Sequence, residues 1–254
     1  MNIIKIALFE IKIMRRNNIF WLIFILSALL LFLMDSFNYF TIEEQHKMIK
    51  DFSLGIMNII SLFVVIYYPV SMIKDEFMLR TIYPLLSTPV NRSTIIIGKA
   101  LSIGIILFIL LAVNTLSLYI ILFLKGSSLD LNIFYAVVLI FLKNLIITGF
   151  TFLFSVTSLS SLFCVFLSFF VYCLGSIKIY FTGAFEESIP IHARLIQKIV
   201  FSIVPNISIY DVVERLSLGD SIQYNHILNC FLHFLGVSIL VYGICIFIFN
   251  KKEI

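Results

Sequence analysis

Hydrophobic positions fall in long unbroken blocks along this chain, separated by short charged stretches. Residues 17–34 carry no charge and nearly reach the length of about 20 apolar residues that a helix needs to cross a bilayer. The apolar character continues past Asp35 toward Tyr39. Residues 52–73 form a second such run and residues 100–124 a third. Residues 131–177 hold a single charge, Lys143, and are far too long for one crossing. They read as two spans that turn near Thr157-Ser158-Leu159-Ser160-Ser161, the most polar point of the run. Residues 227–250 supply a sixth. Strand-type alternation is absent, which removes a membrane β-barrel from consideration. The expected fold is an all-α integral membrane protein, a single transmembrane domain over residues 1–254 with six transmembrane helices.

Two further segments have helical patterning without the length or continuity to span. Over residues 1–17, Ile3, Ile6, Ala7, Ile13 and Met14 are interleaved with Lys5, Lys12 and Arg16. That pattern suits an amphipathic helix lying along the membrane surface, its bases near anionic head groups. In residues 178–225, Ile191, Leu195, Ile196, Ile199, Val200 and Ile203 recur at helical spacing. Pro190 suits a first helical turn and Pro205 stops the pattern. A shorter helix is expected from Asp211 to near Gly219. The segment reads as an outer, re-entrant helical hairpin.

Composition changes the picture in one respect: it makes lipid the solvent for most of the chain. Apolar residues make up 61% and charged residues 13%, with a mean hydropathy of +1.10, against roughly half and about a quarter in soluble domains. Charge then sets the orientation. Six spans place both termini on one side. If that side is the cytoplasm, the inner segments hold ten bases (Lys5, Lys12, Arg15, Arg16, Lys74, Arg80, Arg92, Lys99, Lys251, Lys252) against four acids (Glu10, Asp75, Glu76, Glu253). Outer segments hold seven bases against ten acids, so the positive-inside rule puts the termini in the cytoplasm. The long first apolar run, with no small-residue cleavage pattern after it, is expected to stay in the protein.

Candidate chemistry is sparse. There is no HExxH, no GxSxG, no phosphate-binding GxxxxGK[ST] loop and no carboxylate pair inside a span. His226 and His233 are seven residues apart, about 10 Å by helical rise, too far to share one metal; His46 and His192 are isolated. Cys164, Cys173, Cys230 and Cys245 show no metal-ligand spacing and no disulfide framework. No metal, cofactor, catalytic residue or nucleic-acid partner is expected for this chain. Lys143 stands apart as a charge in mid-span. It either lines a substrate path or pairs across an interface, or else it snorkels toward the outer surface. The string Thr148, Thr151, Ser155, Thr157, Ser158, Ser160 and Ser161 reads as a polar lining, or as interhelical hydrogen bonding and close packing beside Gly149.

The stretch 74–99, KDEFMLRTIYPLLSTPVNRSTIIIGK, is the long charged, amphipathic interruption between the second and third runs. Asp75 and Glu76 would complement the positive start of a short helix. Phe77, Met78, Ile82, Leu85 and Leu86 would form an apolar ridge, with Pro84 bending the helix and Pro89 ending it. A solvated connecting loop is the plainer alternative. Glu76, Thr81, Leu85-Leu86-Ser87-Thr88-Pro89-Val90, Arg92 and Gly98-Lys99 resemble, in order and spacing, the first cytoplasmic loop of type-2 ABC transporter permeases. Arg80 stands where that family usually has glycine, and Pro84 sits within the expected helix.

The resemblance implies a permease subunit whose residues 74–93 carry a coupling helix, with Glu76, Phe77, Met78, Arg80, Thr81, Ile82, Leu85, Leu86, Ser87 and Pro89 as the ATPase-coupling residues. It implies a separate cytosolic ABC ATPase that holds ATP and magnesium, and a second permease subunit, identical or different. An exporter in a bacterial inner membrane is the expectation; the abundant Phe, Ile and Leu suit walls for a lipid, peptide or amphipathic drug, and equally a lipid-facing surface. Two other readings are an ion-coupled secondary transporter working alone and a non-transporting assembly or immunity protein.

Overall fold

In the computed structural model, residues 3–33, 42–78, 91–126, 130–157, 160–183, 204–213, 216 and 222–251 are described. Among them the regular structure is helical throughout: α1 (Ile3–Arg15), α2 (Asn18–Leu33), α3 (Ile42–Met78), α4 (Arg92–Leu124), α5 (Leu131–Val156), α6 (Ser161–Gly183) and α7 (Tyr224–Lys251), with a 3-10 turn at Ser208–Tyr210. Helices α3 to α7 are each long and apolar enough to cross a membrane. The described part of α2 is 16 residues, short of the length a span needs. Helix α3 has 37 residues and α4 has 33, roughly 55 and 50 Å by rise. Both exceed a hydrocarbon core of about 30 Å, so each runs well past the apolar stretch read from its sequence.

Local chemistry sets the helix ends. Gly126 takes the left-handed conformation at φ 78° and donates its N–H to the Phe123 carbonyl, closing α4. The Asp130 carboxylate accepts the Asn132 N–H at 3.0 Å and opens α5 as an N-cap. The same carboxylate accepts from Lys50 Nζ at 2.8 Å, tying the start of α3 to that cap. The turn expected at 157–161 is found: α5 stops at Val156 and α6 starts at Ser161, while Cys164 Sγ donates to the Phe154 carbonyl across it.

Helices α3 and α5 form the centre of the bundle. Helix α5 buries residues around most of its circumference, from Ile133 and Leu139 to Phe152 and Val156. Helices α6 and α7 are peripheral and expose Phe166, Phe170, Leu232 and Ile239, side chains suited to acyl chains. The hydroxyls of α5 do not bridge helices. Thr148, Thr151 and Ser155 each donate to the carbonyl four residues back, on Asn144, Ile147 and Thr151. This corrects the interhelical reading: inside a buried helix the nearest free lone pair is the helix's own carbonyl. The close approach beside Gly149 holds, since a Cβ there would lie 3.2 Å from Val241 on α7.

Of the segment expected as a hairpin, residues 184–203 lie outside the described part. Residues 204–213 dip into the bundle. Ile207 is fully buried against Gly175, where a Cβ would come within 2.6 Å of its side chain. The Ile207 N–H donates to the Gly175 carbonyl at 3.2 Å. Tyr210 donates to the Cys230 carbonyl at 3.0 Å and meets His233 Nδ1 at 2.9 Å. His226 Nε2 lies 2.9 Å from the Ile209 carbonyl. Of the helix expected over 211–219, residues 211–213 and 216 are described, and the Leu216 N–H donates to the Val212 carbonyl.

Lys143 does not snorkel. It is fully buried, and its Nζ lies 2.5 Å from Asp211 Oδ1 and 5.5 Å from the Tyr172 ring centre. No acid in a spanning helix serves it; the partner comes from the inserted segment.

Two predictions follow from these contacts. Gly175→Val should displace Ile207 and lower the melting temperature of the detergent-solubilised protein by several degrees, whereas Gly55→Ala, in open space, should not. Burial raises the Asp130 pKa, but the Lys50 and Asn132 hydrogen bonds and the Lys50 charge outweigh it and hold it below the usual value. A depressed carboxylate stabilises above its unfolded pKa and loses that contribution as pH falls through the folded one. Asp130→Ala should therefore destabilise by about 1 kcal/mol near pH 7, with the gap to wild type narrowing below about pH 4 in thermal melts.

Candidate functional site

The described residues take in both ends of the motif stretch, up to Met78 and from Asn91. Arg80, Thr81, Ile82, Leu85, Leu86, Ser87 and Pro89 lie outside the described residues. Glu76, Phe77 and Met78 form the last turn of α3, and Arg92 opens α4. This corrects the sequence expectation for Asp75 and Glu76. They stand at the C-terminal, negative end of α3 instead of the positive start of a separate helix, because α3 continues unbroken through 74–78. Partners offset that unfavourable placement. Asp75 accepts from Ser71 at 2.6 Å, and Glu76 reaches a lysine.

That lysine is Lys99, and its surroundings are the densest charge cluster in the described residues. Its Nζ lies 2.6 Å from Glu10 Oε1 and 2.6 Å from Glu76 Oε1, with the lysine side chain at 0% exposure. Glu10 comes from α1, Glu76 from α3 and Lys99 from α4. The neighbouring Gly98 makes the meeting possible: a Cβ there would lie 2.8 Å from the Ile6 side chain and 3.3 Å from the Ile3 carbonyl. The adjacent pair Gly98-Lys99 therefore does two jobs, one residue admitting α1 and the next binding its carboxylate. Two carboxylates share one ammonium, and Glu76 Oε2 is buried without a partner.

Two more bases of the stretch close the same end of the bundle. Lys74 Nζ donates to the Thr157 carbonyl at 2.9 Å, joining α3 to the α5–α6 turn. Arg92 Nη1 donates to the Phe249 and Asn250 carbonyls at 3.2 and 3.3 Å, joining α4 to the end of α7. Those carbonyls belong to a helix C-terminus, where a cation is favoured. Phe77 packs on the apolar core, whereas Met78, the last described residue of α3, is 84% exposed.

Sequence reasoning picked out Glu76, Arg92 and Lys99 but missed Glu10. A signal for it existed: Glu10 shares the buried face of α1 with Ile6, Ala7 and Met14, so a carboxylate sits in an apolar stripe. Asp211, the partner of Lys143, gave no local signal. Among the described residues no His, Cys, Asp or Glu cluster could hold a metal, and none of the four cysteines is in a disulfide.

An apolar groove of about 610 Å³ opens between α4, α5 and α7, lined by Ile97, Ala100, Gly104, Phe108, Phe141 and Tyr242 among others. It is separate from the charge cluster.

No curated protein matches the chain. A family model described as "ABC-2 family transporter protein" matches residues 8–187. That match takes in Glu10, the whole 74–99 stretch and Lys143. With its bundle of long apolar helices, the chain belongs to the ABC-2 transporter family as a multi-pass membrane permease.

Proposed function

We propose that this permease is the membrane subunit of an ATP-driven exporter, powered by a separate cytosolic ABC ATPase that holds the ATP and magnesium. The proposed assembly has six spans per chain, with α2 as the first, and both termini in the cytoplasm of a bacterial inner membrane. A second permease subunit and two ATPase subunits complete it. Residues 79–90, flanked by Glu76–Met78 and Arg92, are the docking segment.

The Glu10–Lys99–Glu76 cluster carries this reading. A push on the 79–90 segment reaches α3 and α4 directly, because the segment joins them. Through Lys99 it also reaches α1, which does not adjoin the segment along the chain. Charges at 2.6 Å in a buried setting resist separation, since parting them leaves an uncompensated buried ion. The three helices therefore move as a unit, and Arg92 extends the unit to α7. Rigid transmission of this kind is what a subunit without its own phosphate-binding loop requires.

The buried Lys143–Asp211 pair favours one rival, an ion-coupled secondary transporter, because intramembrane charges often mark ion paths. That rival requires transport by the chain alone in proteoliposomes under an ion gradient.

The reading predicts three separable results in proteoliposomes holding the chain with its ATPase. Phe77→Asp should leave the protein inserted while reducing ATP-driven transport at least tenfold. Lys99→Met alone strands two carboxylates and should destabilise the chain by about 3–5 kcal/mol. The combined Glu10→Gln, Glu76→Gln, Lys99→Met variant removes the charges without stranding any. It should fold yet hydrolyse ATP without matching transport. Normal transport per ATP in that folded variant would remove the cluster from the coupling route.

A further inference from the structure

We infer that Lys143 is a binding site for the anionic group of an amphipathic substrate, and that Asp211 occupies it as an internal substitute. The inference names the substrate class for the transport function proposed above and rests on that reading.

Lys143 lies 12 residues into α5, roughly 18 Å from its start by rise, near the midpoint of a 26-residue helix. At such a depth a lone ammonium is expensive and needs an anion at all times. Asp211 supplies it, but not from a spanning helix. It follows the 3-10 turn Ser208–Tyr210 on the inserted segment. The two sides of the pair differ sharply in burial. The Lys143 side chain is 0% exposed and that of Asp211 is 40% exposed. The cation is fixed in the interior, and its counter-ion can turn outward without moving the backbone. Exchange of one oxyanion for another leaves the charge balance around Lys143 unchanged.

The surroundings are richer in donors than one carboxylate uses. Lys143 has three N–H donors, and Asp211 is the described acceptor among them. Tyr172 faces the ammonium with its ring. Its hydroxyl accepts from Asn58 Nδ2 at 3.1 Å, leaving its own proton to donate. Ser176 lies four residues along α6 on the same face, and its hydroxyl is buried without a partner. The remaining N–H donors of Lys143 and the Tyr172 hydroxyl suit an oxygen-rich anion such as a carboxylate or phosphate. Asn58 Oδ1, also buried and unpartnered, can accept from a hydroxyl or water next to it. The exposed aromatic and aliphatic surface of α6, with Phe166 and Phe170 stacked, suits the tail of the same molecule.

The test uses the full chain purified in a neutral detergent, with the fluorescent fatty acid cis-parinaric acid and its uncharged methyl ester as probes. The acid should bind at least tenfold more tightly than the ester. Asp211→Asn removes the internal competitor and should tighten acid binding about tenfold. Lys143→Gln combined with Asp211→Asn leaves no charge to satisfy, so it should fold and lose the preference for acid over ester. Displacement by dodecyl phosphate compared with dodecanoate then separates a phosphate from a carboxylate head group. Equal binding of acid and ester by the wild-type chain would overturn the inference, and so would a retained preference in the neutral double variant. Neither result touches ATP coupling, which is read in the reconstituted complex. Failed binding beside intact ATP-driven transport would leave the proposed function standing, and the converse would leave the site without its transporter.

Discussion

Hydrocarbon offers no hydrogen bonds, so a polar group that enters this bundle is costly unless it finds a partner inside the protein. The architecture is largely the set of answers to that demand. Backbone groups are satisfied within helices, and the hydroxyls of Thr148, Thr151 and Ser155 fold back on the carbonyls of their own helix. Charges cannot be answered locally, because no neighbouring residue on the same helix carries the opposite sign. Lys99 and Lys143 are both fully buried. Each is satisfied only by drawing a distant piece of chain against α4 or α5.

Those two lysines divide the molecule into two regions with different consequences. At Lys99 both partners sit on helices, α1 and α3, and the result is a stiff junction beside the proposed docking segment. At Lys143 the partner sits on an irregular stretch held by Gly175, Cys230 and His233, and its carboxylate is partly open to the surroundings. A stiff junction suits the transmission of force, and an exchangeable counter-ion suits the recognition of a ligand. The proposed exporter uses the first to drive a change of shape and the second to engage its cargo.

Much of this was legible in the amino-acid sequence. Block hydrophobicity gave the long helices, and the break at 157–161 was visible as a polar string between α5 and α6. The stretch 74–99 was identifiable as the chain's unusual segment from its charges alone. Its end at Met78 was not, because α3 continues beyond the apolar run on contacts that periodicity cannot report. Lys99 finds Glu10 across 89 residues and Lys143 finds Asp211 across 68. The second pairing leaves no trace in a local window, and of the first only the Glu10 carboxylate in the apolar stripe of α1 is visible there. The dipole argument for Asp75 and Glu76 failed for the same reason: it assumed a new helix where the old one had yet to end. The middle of the docking segment, from Arg80 to Pro89, rests on the family resemblance and on the anchoring of its two roots.

The most direct measurement is to extract the chain from its native membrane in mild detergent and identify the proteins that come with it by mass spectrometry. The account predicts a near-stoichiometric cytosolic ATPase with a phosphate-binding loop, retained through purification and lost when Phe77 is replaced by Asp. A well-folded chain that emerges alone from several detergents, and moves a substrate under an ion gradient without ATP, would contradict it.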